Sequence, residues 1–299
     1  MDHDSHQAYV LPFLPWPIFI SLYLIQKVFW RLSLATPYGV MKLANLTPHQ
    51  QELKDEFIKN RGYWSDFWED VLKLDSNFFS AYSKFSSVPS KNGHLDPKIR
   101  EFLYIAVDAS TTHLYLRGLD LHIKNALALG ASRDEIMEVL ELTSVLGIHT
   151  CTLGVPILME ELRDMGRGDE VDNIEFGDYE NGLKEEFVKN RGYWSPFWDD
   201  MLKLCPDFFE AYVEFSSVPW KTGTLEPKIK EFIYIAIDTA TTHLHKEGAR
   251  IHIRNALEHG ASKEEIMEVF ECVSVLGMHA LTEGGPMLLQ AAQQVEAGK

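Results

Sequence analysis

Cysteine is scarce: Cys151, Cys205 and Cys272 are the three in 299 residues, and no two of them form a CxxC pair. An odd, scattered set excludes a disulfide framework and points to a reducing, cytoplasmic compartment. Basic charge is also short, with 28 Lys and Arg against 44 Asp and Glu, a net charge of −16. That balance removes the basic face that nucleic acid or an anionic lipid surface requires. An anionic small-molecule substrate would need its own local arginine. Strand signals are missing too, because no repeated stretch alternates polar and apolar residues between hairpin turns.

What is present is a duplication. Leu53 to Leu158 aligns without a gap onto Leu183 to Leu288 at a constant offset of 130 residues, and Lys59-Asn60-Arg61-Gly62-Tyr63-Trp64-Ser65 returns as Lys189-Asn190-Arg191-Gly192-Tyr193-Trp194-Ser195. Most paired positions are identical, so the copies share one fold. The chain divides into a lead segment (1–50), a first repeat (51–166), a linker (167–182) and a second repeat (183–299). Each cysteine is replaced in the other copy, by Leu281, Asp75 and Leu142, which makes the three small buried apolar residues rather than shared nucleophiles. Tyr9 to Ile25 is apolar and uncharged, but Pro12, Pro15 and Pro17 break it, and Lys27, Arg31 and several aromatics follow. Two readings of residues 9–31 stand: an arm packed on the body, or a shallow membrane anchor.

Within a repeat the periodicity is helical. Asp55 to Lys59, Tyr63 to Leu74 and Phe78 to Phe85 read as short amphipathic helices. Asp96-Pro97 and Glu226-Pro227 open strongly apolar helices that run to about Thr112 and Thr242. Gly118 to Leu129 forms the next helix. Ser132 with Glu135, and Ser262 with Glu265, have capping-box spacing and start a long helix to Gly147 and its counterpart, with a last helix after Pro156. The fold class is all-α, two tandem helical units related by pseudo-twofold symmetry.

Polar residues on the apolar helices stand out. Glu101, Tyr104, Asp108 and Thr112 fall along one side of a helix, and Glu231, Tyr234, Asp238 and Thr242 repeat them. A buried Asp needs a partner or a wet cavity. His113, His122 and His149 return as His243, His252 and His279. No HxxxH pair, and no HxH pair shared by both copies, presents two ligands from one turn, so a neutral imidazole that moves protons asks less of the sequence than a metal site does. No metal is expected, with His113, His122 and His149 as the weaker alternative set.

Arg100-Glu101 before an apolar helix, His122-Ile123-Lys124-Asn125-Ala126-Leu127, Gly130-Ala131-Ser132, Glu135-Ile136-Met137-Glu138-Val139, Gly147 and Gly154-Val155-Pro156 together resemble the carboxymuconolactone decarboxylase family, within the alkyl hydroperoxidase D superfamily. The second copy matches at Lys230-Glu231, His252 to Leu257, Gly260, Glu265 to Glu268, Gly277 and Gly284-Gly285-Pro286. The resemblance implies an all-helical unit that associates into trimers or hexamers, and for this fused pair a homotrimer is expected. In the peroxidase branch two cysteines precede the histidine; here Tyr115 and Gly118, and His245 and Gly248, hold those places, so thiol chemistry is excluded. The decarboxylase branch implies a cofactor-free lyase or isomerase acting on a small cyclic acid or lactone. His122 and His252 are then the acid-base groups, Glu101, Glu231, Asp108, Asp238, His113 and His243 their partners, and Arg61, Arg191, Tyr104 and Tyr234 the substrate-binding residues. A non-catalytic binding or scaffolding protein on the same fold, or a histidine-based metal enzyme, are the competing readings.

Overall fold

The computed structural model describes residues 45–297, so the lead-segment readings for 9–31 lie outside the described residues. Thr47 accepts the Gln50 N–H and its own N–H is taken by the Gln50 side chain (2.9 Å), a capping box that starts α1 (Pro48–Arg61). Gly62 ends this helix in the left-handed region (φ 83°), where only glycine avoids a Cβ clash, and its N–H bonds the Ile58 carbonyl at 2.7 Å. The turn throws Tyr63 and Trp64 back onto Phe57, edge-on at 6.3 and 5.7 Å. Because of it the predicted helix over Tyr63 to Leu74 begins only at Phe67, as α2 (Phe67–Leu74).

Helices α3 (Ser76–Ser86) and α4 (Val88–Asn92) lead to α5 (Pro97–Ala109), α6 (Leu116–Ala128) and α7 (Arg133–Ser144). A 3-10 turn, Val145–Ile148, then passes directly into α8 (His149–Asp164). The final helix therefore starts seven residues ahead of Pro156 rather than after it, and Pro156 sits inside at the loss of one backbone bond. After the short α9 (Asp169–Asp172) the pattern repeats as α10 (Asp178–Arg191), α11 (Phe197–Leu204), α12 (Pro206–Thr222), α13 (Pro227–Thr239), α14 (Lys246–Glu258), α15 (Lys263–Ser274), a 3-10 turn (Val275–Met278) and α16 (His279–Ala297). Among the described residues there is no strand. Both Ser-x-x-Glu capping boxes are formed.

One compact unit, Thr47–Leu288, contains both copies. Its centre is α5 packed on α13, each also covered by α7 and α15. These two helices are apolar nearly all round, with Phe102, Leu103, Ile105, Phe232, Ile233 and Ile235 fully shut from water, as a helix at the middle of a core must be. Two buried carboxylates cross between the copies. Glu268 of α15 accepts the backbone N–H groups of His94 (2.7 Å) and Leu95 (3.2 Å) and the Arg100 guanidinium (3.1 Å). Glu138 of α7 does the same for Thr224 (2.6 Å), Leu225 (3.0 Å) and the Lys230 ammonium (2.8 Å). Reciprocal contacts between equivalent residues are the signature of a twofold relation. Arg133–Asp164 is long enough to cross a membrane, and an 18-residue window within it has mean hydropathy 1.6. It is interrupted by the 3-10 turn and delivers Glu138 and His149 to protein partners.

Candidate active site

The second turn of α5 carries Glu101 and the middle of α6 carries His122. Both side chains are buried, and the His122 Nδ1 meets the Glu101 carboxylate at 2.7 Å. In the second copy His252 meets Glu231 at 2.6 Å, and Asn255 donates to the other Glu231 oxygen at 3.2 Å. A carboxylate on Nδ1 assigns the proton there, which leaves Nε2 as the nitrogen open to exchange. Tyr104 and Tyr234, one helical turn beyond each glutamate, lie on the imidazole faces with ring centres 4.6 and 4.5 Å away. Burial pushes the Tyr234 hydroxyl up to about 12, so it is a donor at neutral pH.

The two arginines differ. Arg61 donates to the Ser86 carbonyl and the Tyr63 hydroxyl, both at 2.7 Å, and reaches Tyr104 at 3.4 Å. It is an organiser of its wall. Arg191 lies among Phe187, Tyr193, Trp220 and Tyr234, 5.2–6.0 Å from the ring centres, and its Nε and Nη1 are buried with no hydrogen-bond partner.

Farther along α5, Asp108 is 1% exposed and makes no side-chain hydrogen bond; its Oδ2 is fully shut from solvent. Beside it His113 Nε2 meets His279 Nδ1 at 2.7 Å. Asp238, also 1% exposed with a partnerless Oδ2, lies beside His243 Nε2 and His149 Nδ1, which are 2.6 Å apart. Burial, reinforced by the Glu101 charge, raises Asp108 to about 8. Burial, together with the neighbouring histidines, holds His279 near 3, and burial holds His149 near 3 as well, so both imidazoles are neutral. Two local devices place these groups. Leu114 and Leu244 adopt the left-handed region (φ 51° and 54°), a strained conformation for a leucine, in the turn that follows His113 and His243. Gly118 and Gly248 leave room for the aspartates: a Cβ there would stand 2.1 and 2.2 Å from the respective Oδ2.

Part of this set, without Glu101, Glu231, His113 and His243, lines two cavities of about 500 and 450 Å³, mouths included. The first is lined by Arg61, Tyr104, Asp108 and His122 from one copy and Cys272 and His279 from the other. The second takes Arg191, Tyr234, Asp238, His245 and His252 from one copy and His149 from the other. Glu101, Tyr104 and Asp108 of α5 and His122 of α6, expected together from the sequence, lie around the first cavity. The sequence does not show that His149 and His279 change partners, since nothing local marks a side chain as serving the opposite repeat. The alternative set His113, His122 and His149 is accordingly not one cluster: His149 belongs to the second cavity. Thr112 leaves the stripe because α5 ends at Ala109; its hydroxyl pairs with Ser110 at 2.8 Å. Nor are the cysteines uniformly buried. Cys205 is exposed, Cys151 half-buried, and Cys272 lines the first cavity as a thiol that burial pushes up to about 12. That value keeps it unreactive.

The model of the carboxymuconolactone decarboxylase family matches residues 77–147 and 206–297, one region in each copy. A crystal structure from Burkholderia xenovorans LB400, provisionally named a gamma-carboxymuconolactone decarboxylase subunit, is similar at 47% identity and a TM-score of 0.79. The similarity covers 84% of this chain and 100% of that one. No curated protein sequence matches significantly. With family matches in both copies and a solved relative spanning most of its length, the chain belongs to the carboxymuconolactone decarboxylase family.

Proposed function

We propose that the protein is an acid-base enzyme of the lyase or isomerase type, acting on a small cyclic carboxylic acid or lactone. The observation that carries this reading is the buried glutamate–histidine pair at 2.7 and 2.6 Å, present in both copies, with the histidine in the wall of a cavity each time. Glu101 and Glu231 fix the ring and its tautomer, and Nε2 of His122 or His252 is the atom that exchanges the proton. In a decarboxylation the bond to the carboxylate carbon breaks, carbon dioxide leaves, and the electron pair stays on the ring carbon. The imidazolium form, which keeps its Nδ1 proton on the glutamate, gives its Nε2 proton to that carbon, and solvent restores it. Arg191, with two N–H groups free in a buried site, is suited to hold a second carboxylate or lactone carbonyl.

Replacing both His122 and His252 by Asn is expected to lower turnover on a panel of small carboxylated lactones by about 10²- to 10⁴-fold, the usual share of general acid-base catalysis, with folding retained. Full activity per folded molecule in that double variant overturns the reading. We also infer a homotrimer, supported by the exposed apolar residues Leu153, Ile157 and Leu158 on α8 and Met287 and Leu288 on α16. Light scattering is expected to return three times 34.2 kDa, and a monomer mass overturns it.

A further inference from the structure

We propose that each cavity binds a first-row divalent metal ion on one carboxylate and two imidazoles drawn from both repeats: Asp108, His113 and His279 in the first, Asp238, His243 and His149 in the second. The distances fit. Asp108 Oδ1 lies 4.0 Å from His113 Nε2 and 3.9 Å from His279 Nδ1, and the two nitrogens are 2.7 Å apart. The centre of the circle through those three atoms is about 2.1 Å from each, the reach of such an ion to imidazole nitrogen and carboxylate oxygen. In the second cavity Asp238 Oδ1 is 3.8 Å from His149 Nδ1, which is 2.6 Å from His243 Nε2.

The independent observation is the bare aspartate. Asp108 and Asp238 are each 1% exposed and neither carboxylate makes a side-chain hydrogen bond: Oδ1 faces the imidazoles, and Oδ2 is shut from solvent beside Gly118 or Gly248. A carboxyl group buried without a partner is costly, and two at equivalent positions mark a missing partner rather than an accident of packing. The competing arrangement is a plain hydrogen bond between the imidazoles. Their rings are nearly coplanar, at 16° and 14°, and the ring centres are farther apart than the nitrogens by about two ring radii, as an in-line N–H···N contact requires. That bond satisfies two nitrogens and leaves the carboxyl bare; turning each ring by about 50°, the angle between the N–N line and the line from either nitrogen to the circle's centre, brings both imidazoles and Oδ1 onto one ion. The strained Leu114 and Leu244 turns and the glycines that admit the aspartates are devoted to this spot in both copies.

Two nitrogens and one carboxylate oxygen suit Mn, Fe, Co, Ni or Zn better than Mg or Ca, and three ligands leave coordination positions open toward the cavity. His245, which replaces Tyr115, adds a fourth candidate ligand to the second site alone. The second ion should therefore be held more tightly. The inference stands apart from the lyase reading.

The full-length chain, stripped with a chelator, is titrated with Zn(II) by calorimetry and with Co(II) by visible absorption. Two ions per chain are expected, one after His113→Asn, and none after His113→Asn with His243→Asn at unchanged helical circular dichroism. If that pair fails to fold, Asp108→Asn with Asp238→Asn keeps the side-chain shape and should also abolish binding. His122→Asn with His252→Asn should keep both ions, so loss of turnover and loss of metal remain separate results. Absence of saturable binding at micromolar ion, or a stoichiometry unchanged by either pair of substitutions, overturns the proposal.

Discussion

Glu268 is where a single substitution tests the cross-repeat architecture most directly. Its carboxylate, 1% exposed, receives two backbone N–H groups and the Arg100 guanidinium, at 2.7, 3.2 and 3.1 Å. Glu268→Ala leaves the guanidinium and two amides without that acceptor, although Arg100 keeps the Leu95 carbonyl at 2.7 Å. Removing one member of a buried charged pair costs about 3–5 kcal/mol. For a unit of this size each kcal/mol moves the melting temperature by roughly 2–4 °C, so a fall on the order of 10 °C is expected. Glu268→Gln keeps an acceptor for the backbone groups and loses mainly the charge-assisted bond, about 1.5–3 kcal/mol. Thermal unfolding followed by circular dichroism gives the order parent, Gln, Ala. Adding Arg100→Met to the Ala variant should recover part of the loss, because the uncompensated charge leaves with it. An Ala variant within 1 kcal/mol of the parent would refute the clamp, since that is the scale of an ordinary surface change.

Two further predictions concern the cavities. In the chelator-treated protein, His149 and His279 sit near 3 when folded and near 6.5 when free, so their stabilisation is present above pH 6.5 and lost as the pH falls toward 3. Asp108, near 8 folded against 3.8 free, has the opposite sign: its contribution is present below 3.8 and lost as the pH rises through 8. Urea midpoints should therefore drop on the acid side of 6.5 and sag between 6.5 and 8, the first limb flattened by His149→Asn with His279→Asn and the second by Asp108→Asn; a profile indifferent to these changes contradicts the assignment. Gly118→Ala places a Cβ 2.1 Å from the Asp108 carboxyl and 2.5 Å from the Tyr115 ring, and should cost about 1–3 kcal/mol in the same melting assay. Gly154→Ala in α8, with nothing within 4 Å, is the control and should be neutral or slightly stabilising.

The helices were legible because their signals are local. Asp96-Pro97 and the Ser132–Glu135 box fix their own ends through bonds spanning two or three residues, and the structure forms them as the spacing demands. The same reading overran at Thr112 and misplaced the start of α8, since a helix end set by tertiary burial leaves no mark in the sequence. The Glu101–His122 pair lay within reach as well: a buried acid on α5 needs a partner, and a histidine on the next helix supplies one. His279 was a different case. Its partner His113 stands 166 positions away, and the offset that reveals the repeat pairs His279 with His149 instead. Periodicity along the chain cannot report a contact made across a twofold relation.

Fusing the two copies into one chain has an evolutionary consequence. In a dimer of identical subunits any substitution is made twice, so two cavities built across the interface must change together. Here each wall can be altered once. Tyr115 faces the first cavity where His245 faces the second, Cys272 lines one where the other copy has Leu142, and Trp220 packs beside Arg191 where the first copy has Ser90. The duplicated gene has in effect left one molecule with two chambers whose walls can diverge independently.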